Sequence, residues 1–206
     1  MLAELRARRA DRDAGFSLLE LIVVTSIFGV IMAVITASVV QMMKQSTKES
    51  GTADNLDNAR KVIQTLDRTA RYANNINTPG IAADGNYYVE YRVGNTGQQQ
   101  TCYQWRYMPS THQVQYRTWL PPLAGVGAVT ATSWTIVGNG IYQTGATAPW
   151  SITASNAANV HEQLAVVFSS KHGAPSTTTS NQVTITGINT ASSSPLASIC
   201  NEVGRP

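Results

Sequence analysis

Residues 15–43 read GFSLLELIVVTSIFGVIMAVITASVVQMM, and this stretch decides how the rest of the chain is organised. From position 21 to 43 no residue is charged, and only small or uncharged polar side chains interrupt the apolar run. A helix of that length spans roughly 35 Å, enough for a hydrocarbon core of about 30 Å. The competing reading is a buried helix of a soluble domain, but such helices seldom run this far without a charge. Arg6, Arg8, Arg9 and Arg12 precede the run, against Glu4, Asp11 and Asp13. Positive charge on that side predicts a cytoplasmic N-terminus and an extracytoplasmic remainder, a vote that Lys44 and Lys48 weaken without reversing.

A secretory signal places its small-residue cleavage site after the apolar stretch. Here the small residue comes first. Gly15 closes the charged leader, the aromatic Phe16 follows, and Glu20 stands fifth after the junction. In this order of features, and in GFSLLELIVV itself, the chain resembles the type IV pilins and the pseudopilins of type II secretion. The resemblance implies cleavage between Gly15 and Phe16 by a prepilin peptidase and N-methylation of Phe16. It implies a single-pass membrane protein that joins other pilin or pseudopilin subunits, on an inner-membrane assembly platform, in an extracellular or cell-envelope filament. No enzymatic activity and no cofactor go with it. Glycine suits the cut because a residue without Cβ enters a tight protease site as an extended strand. Glu20 needs its own account, since a carboxylate inside a bilayer helix costs on the order of 2.5–3.5 kcal/mol. It either snorkels to the headgroups or, as the resemblance implies, pairs with the Phe16 ammonium of a neighbouring subunit, where each charge offsets part of the other's penalty.

The implied fold is α+β, a long N-terminal helix, half transmembrane and half amphipathic, packed on an antiparallel β-sheet head. The corresponding segments are a leader at 1–15, a transmembrane and filament-core helix at 16–43, an amphipathic helix at 44–78 and a β-rich head at 79–206. Leu56, Ala59, Val62, Ile63, Leu66, Ala70, Ala73 and Ile76 recur at spacings of three and four and predict a stripe packed on the head. Gly51, Asp54 and Asn55 mark a weak point, and Thr78-Pro79-Gly80 predicts the stop. Many major type IV pilins carry a proline within the apolar helix. None occurs here between positions 16 and 78, although Gly29 matches a glycine common in that segment. The stretch LDRTARYANNI at 66–76 is also loosely similar to minor subunits. Both features incline the reading to a minor pilin at filament initiation or tip, with a minor pseudopilin of type II secretion, or a pilin whose head binds DNA or a surface, as the alternatives.

Only 13% of residues are charged, about half the usual share, which excludes a charge-rich disordered chain. Alternation predicts strands at 87–93, 102–108 and 114–119, with further strands at 133–137, 163–170, 182–188 and 196–200. These make a sheet of about five to seven strands. If Ser110-Thr111 form the turn, Trp105 faces Tyr116 and Tyr107 faces Val114 on an aromatic side that covers the helix stripe. Gln104, Arg106, Gln113, Gln115 and Arg117 then face water. Cys102 and Cys200 fit an extracytoplasmic disulfide on the side away from the aromatics, with two buried thiols as the alternative. His112, His161 and His172 have no nearby acidic partner in sequence, and Glu162 and Glu202 are the only acids after Glu90, too few for a calcium cage. Arg92, Arg106 and Arg117 beside Tyr and Trp form a candidate ligand face for single-stranded DNA, set against the ordinary outcome of a solvated sheet face.

Overall fold

The computed structural model describes residues 16–94, 99–122, 129–172, 177–191 and 199–206. The leader, with Gly15, lies outside them, as do positions 196–198 of the strand expected at 196–200. Among the described residues, one helix, α1 (Leu18–Ala70), precedes ten strands. These are β1 (Ala73–Ile76), β2 (Gly80–Ile81), β3 (Tyr87–Val93), β4 (Thr101–Met108) and β5 (Gln113–Trp119). They continue with β6 (Thr135–Gly138), β7 (Ile141–Tyr142), β8 (Trp150–Thr153), β9 (Gln163–His172) and β10 (Thr177–Thr186). The α+β class is as expected, and the chain divides after Thr47 into two compact units.

In the first unit, Leu18–Thr47 is long and apolar enough to cross a membrane, and none of it is buried within the chain. Its first helical bond runs from the Leu21 amide to the Ser17 carbonyl, 3.1 Å. The hydroxyls of Thr25, Ser26, Thr36, Ser38 and Thr47 each donate to a carbonyl three or four residues back, at 2.8–3.1 Å. Polar side chains inside an apolar helix are thereby satisfied without water, as a hydrocarbon environment requires.

The second unit holds two antiparallel sheets. The first has the order β1-β3-β4-β5-β6, with β2 also on β3; the second has β10-β9-β7, with β8 also on β9. Ala59, Val62, Leu66 and Ala70 lie buried beneath both. From the first sheet they meet Val89, Tyr91, Trp105 and Tyr107, and from the second Trp150, Leu164, Val166, Phe168 and Ile185. Trp105 pairs with Tyr116 and Tyr107 with Val114, as the alternation predicts, and the Trp105 and Tyr116 rings stack at 5.1 Å. The Tyr91 hydroxyl bonds to Thr69 of the helix and accepts the Trp105 indole proton at 2.8 Å. Burial drives that phenol far above its ordinary pKa, so it stays protonated and keeps both links.

Three expectations need correction. The helix ends at Ala70, not within 76–78, although Ala73 and Ile76 are as buried as the stripe predicts. They belong to β1, where a register shift between Ala73 and Asn75 turns both residues inward and so mimics helical spacing. The freed carbonyls of Arg71 and Tyr72 accept from the Ile188 amide and the Asn189 side chain, at 2.8 and 3.1 Å. Second, there are two sheets instead of one. The strands that sequence alternation misses are the four-residue β1 and β8 and the two-residue β2 and β7, too short to show a period. The third departure is at 196–200, where Ile199 and Cys200 are not in a strand and Cys200 has a φ of 58°.

Gly138 marks the closest approach of sheet to helix. A Cβ there would lie 2.5 Å from Val62 Cγ2 and 3.4 Å from the Asn58 carbonyl. Gly138→Ala is therefore expected to destabilise the chain by about 1–3 kcal/mol. Val62→Ala in the same chain should recover part of that loss, measured by denaturant unfolding. Equal stability of the Gly138→Ala chain and the parent would show that the contact relaxes freely.

Candidate functional site

The face of the first sheet away from the helix carries three cross-strand rows. Tyr88, Arg106 and Gln115 form one, Glu90, Gln104 and Arg117 the next, and Arg92, Cys102 and Trp119 the third. This face was expected to lie open to water. Instead Glu90 and Gln104 are almost wholly buried and Gln115 is buried. Residues 199–206 cross the rows of Glu90 and Arg92 as a strap, and Trp134 lies against Arg106 and Arg117.

A disulfide, hydrogen bonds and ion pairs hold the strap, and Val203 packs beside the cluster of Cys102, Trp119 and Cys200. Cys200 is disulfide-bonded to Cys102, with Cα atoms 5.6 Å apart, on the side away from the aromatics as expected. Glu202 accepts from the Trp119 indole at 3.0 Å and pairs with Arg92 at 3.6 Å. The Gly204 carbonyl accepts from Gln104 at 3.0 Å. Arg205 donates from Nε to Glu90 at 2.9 Å and from Nη2 to the Thr78 carbonyl at 2.8 Å. Glu90 also accepts from Asn77 and Gln104, at 3.1 and 2.9 Å. A cavity of about 390 Å³ beside the strap is lined by Asn77, Glu90, Asn201 and Arg205, but its carboxylate is already saturated by these donors.

The three arginines of the candidate ligand face share this surface without being open. Arg106 and Arg117 lie against the Trp134 ring, 3.9 and 4.4 Å from its centre. Arg106 also donates to Gln115 at 2.7 Å and Arg117 to Gln104 at 2.7 Å. Arg92 is the partner of Glu202. Burial lowers the Arg117 pKa from its ordinary value, yet a guanidinium remains charged. Beside them, Asp84 accepts from the Tyr88 hydroxyl at 2.6 Å and from the Asn86 amide at 3.0 Å. Burial works against its charge, but these hydrogen bonds prevail and hold the carboxyl below its ordinary range. Trp134 was not singled out in the sequence, where it falls within the strand expected at 133–137; it lies just before β6.

At the other end of the chain, Phe16 and Glu20 are exposed, and Glu20 sits in the first turn of α1. There the helix dipole favours a carboxylate. Residues 11–36 match the family model described as the prokaryotic N-terminal methylation motif. The chain carries the prepilin-type signature. This is the N-terminus of type IV pilins and pseudopilins, and it implies processing by prepilin peptidase and assembly with other subunits. Together with one N-terminal apolar helix it fits a membrane-anchored pilin. Neither the curated proteins nor the solved structures hold a match to the chain.

Apart from that signature, chemistry-bearing groups are few. Among the described residues, no three His, Cys, Asp or Glu come together as a metal site. His112 stacks on Tyr142 at 4.1 Å in a turn, with a φ of 54°. His161 Nδ1 bonds to the Thr190 carbonyl at 2.6 Å, and His172 ends β9. The residue that sequence reasoning passed over is Glu162. It is fully buried, accepts from the Ile76 amide at 2.9 Å through Oε2, and has no hydrogen-bond partner at Oε1. Its amide donates to Thr190 Oγ1 at 2.7 Å and its carbonyl accepts from Gly187 at 3.0 Å, so it ties β1 to the turn that caps the helix. Only its place at the start of an apolar strand hinted at this.

Burial raises the Glu162 pKa above its ordinary 4.5, against the opposing pull of the Ile76 amide. The folded state thus holds the proton more tightly than the unfolded chain. Its contribution to stability is complete below the unfolded value and falls as pH rises through the folded value. Unfolding measured from acidic to neutral pH should show this loss in the parent chain, and Glu162→Gln should abolish it. An unchanged pH slope in Glu162→Gln would mean that Glu162 is not the group responsible.

Proposed function

We propose that the chain is a minor subunit of a type IV pilus-like filament, acting at filament initiation or at the tip. The observation that carries the reading is the prepilin-type signature at 11–36 running into an unburied apolar helix of 30 residues, Leu18–Thr47. Prepilin peptidase cuts between Gly15 and Phe16 on the cytoplasmic side, and Phe16 is N-methylated. Residues 16–43 then anchor the chain in the membrane with the head outside, until an inner-membrane assembly platform passes the helix into a filament core. In that core Glu20 neutralises the Phe16 ammonium of a neighbour. A minor role is supported by the lack of proline from 16 to 78, because glycine at 29 alone loosens a helix by only about 1 kcal/mol. A minor pseudopilin of a type II secretion system has the same N-terminus and the same assembly chemistry. The head is structural and not enzymatic. DNA binding through Arg92, Arg106 and Arg117 gains no support, since each has a partner within the chain.

Mass spectrometry of the membrane-extracted protein should find a mature chain beginning at methylated Phe16. A bulky or charged residue at Gly15 should leave all 15 leader residues attached. Any other mature terminus would remove the basis of the assignment.

Glu20→Ala should leave cleavage and insertion intact, because removing the carboxylate lowers the insertion cost, while incorporation into sheared filaments slows or stops. Incorporation at the parental rate would leave snorkelling as the whole role of Glu20. The minor role itself predicts an abundance in filaments far below that of the principal subunit.

A further inference from the structure

Only Asn139 and Gly140 separate β6 from β7. β6 pairs with β5 in the first sheet and β7 with β9 in the second, so these two residues form the corner where the chain passes from one sheet to the other. Both sides of the corner are fixed. Gly138 lies so close to the helix that an added Cβ would stand 2.5 Å from Val62 Cγ2. Ile141 is fully buried, and its amide donates to the His112 carbonyl at 3.0 Å. Between these anchors Asn139 is exposed, and Gly140 has a φ of 66°, which glycine adopts without steric cost. Among the described residues, nothing bonds to the Asn139 side chain or to the Gly140 amide nitrogen.

Asparagine before glycine is open to attack by its own main chain, because glycine has no side chain to shield the attacking nitrogen. No other asparagine of the chain precedes a glycine. The analogous Asp84-Gly85 is restrained, since the Asp84 carboxylate accepts from Tyr88 at 2.6 Å and from the Asn86 amide at 3.0 Å. Asn156 is exposed too, but its Oδ1 accepts from the Ala158 and Asn159 amides, each at 2.8 Å.

We propose that Asn139-Gly140 is a site of spontaneous deamidation whose isoaspartyl product loosens the corner between the two sheets. The Gly140 nitrogen gives its proton to hydroxide and attacks Asn139 Cγ. A bond forms from that nitrogen to Cγ, the bond from Cγ to Nδ2 breaks, and Nδ2 takes a proton from water and leaves as ammonia. Water then opens the cyclic imide at one of its two carbonyls, and nothing is oxidised or reduced. Opening at Cγ leaves aspartate in an unchanged backbone. Opening at the main-chain carbonyl routes the chain through Cβ and Cγ and lengthens the backbone by one carbon. Gly138 cannot give way toward the helix, and a shift of Ile141 would break its bond to His112.

The test incubates the full chain, folded in detergent, in warm and mildly alkaline buffer, followed by peptide mapping with mass spectrometry. The peptide holding position 139 should gain the mass of an NH2 replaced by OH before any other asparagine reacts, faster as pH rises, with Asn156 unchanged. Asn139→Gln keeps the amide but would need a larger ring, and should lose this conversion. Conversion in denaturant but not in the folded chain would mean that the corner is too stiff for the attack, and overturns the proposal. Earlier reaction at another asparagine overturns it as well. The isoaspartyl fraction, separated from the aspartyl one by chromatography, should unfold at lower denaturant than freshly purified Asn139→Asp, which carries the same charge on an unaltered backbone. Equal unfolding midpoints would show that the added carbon is absorbed freely, and the claimed loosening would fall.

Discussion

A helix with one apolar stripe has to be covered along that stripe, and the second unit is built around this need. Ala59, Val62, Leu66 and Ala70 offer small and large side chains in turn, and neither sheet covers them alone. The first sheet brings its aromatics to one flank and the second brings Leu164, Val166 and Phe168 to the other. Close approach depends on the bare Cα of Gly138 over Val62. Direction depends on Tyr91, whose hydroxyl joins Thr69 of the helix to the Trp105 indole. A satisfied polar link of this kind within an apolar core fixes one arrangement where packing alone would tolerate several.

Burying the stripe has a consequence at the helix end. A helix that stops leaves its last carbonyls without partners inside the helix. Just past Ala70, the carbonyls of Arg71 and Tyr72 are taken by Ile188 and Asn189, and Glu162 takes the Ile76 amide a few residues on. All three come from or beside the second sheet, so the two sheets are connected through the terminus of α1 as well as through the core. The unpartnered oxygen of Glu162 is the electrostatic burden of that connection.

The elements whose side chains alternate or repeat over several turns were legible in the sequence. The apolar helix, β3, β4, β5 and the Trp105–Tyr116 register follow from spacing alone. The Gly15–Glu20 region was legible for a different reason, since its meaning lies in the order of residue types and not in tertiary contact. Ala73 and Ile76 misled because a bulged strand and a helix can bury the same two positions. The polar rows of the first sheet misled because Gln, Arg and Glu normally indicate solvent. What covers them is some 100 positions away in sequence, and no local pattern links Glu90 to Arg205 or Trp119 to Glu202. The contact of Trp134 with the guanidinium groups of Arg106 and Arg117 had no local pattern to announce it either.

The strap over those rows is fastened by three kinds of chemistry with different weaknesses. A disulfide yields to thiols but is indifferent to salt and acid. The contacts of Glu90 and Glu202 with arginine are ion pairs, which salt weakens where they are exposed, but they are indifferent to reductant. The bond from Gln104 to the Gly204 carbonyl carries no formal charge and answers to neither. No single change in the surroundings releases residues 199–206 at all points together. Such mixed fastening works as fault tolerance: the terminal segment can lose any one anchor and still be held in register long enough for that anchor to re-form.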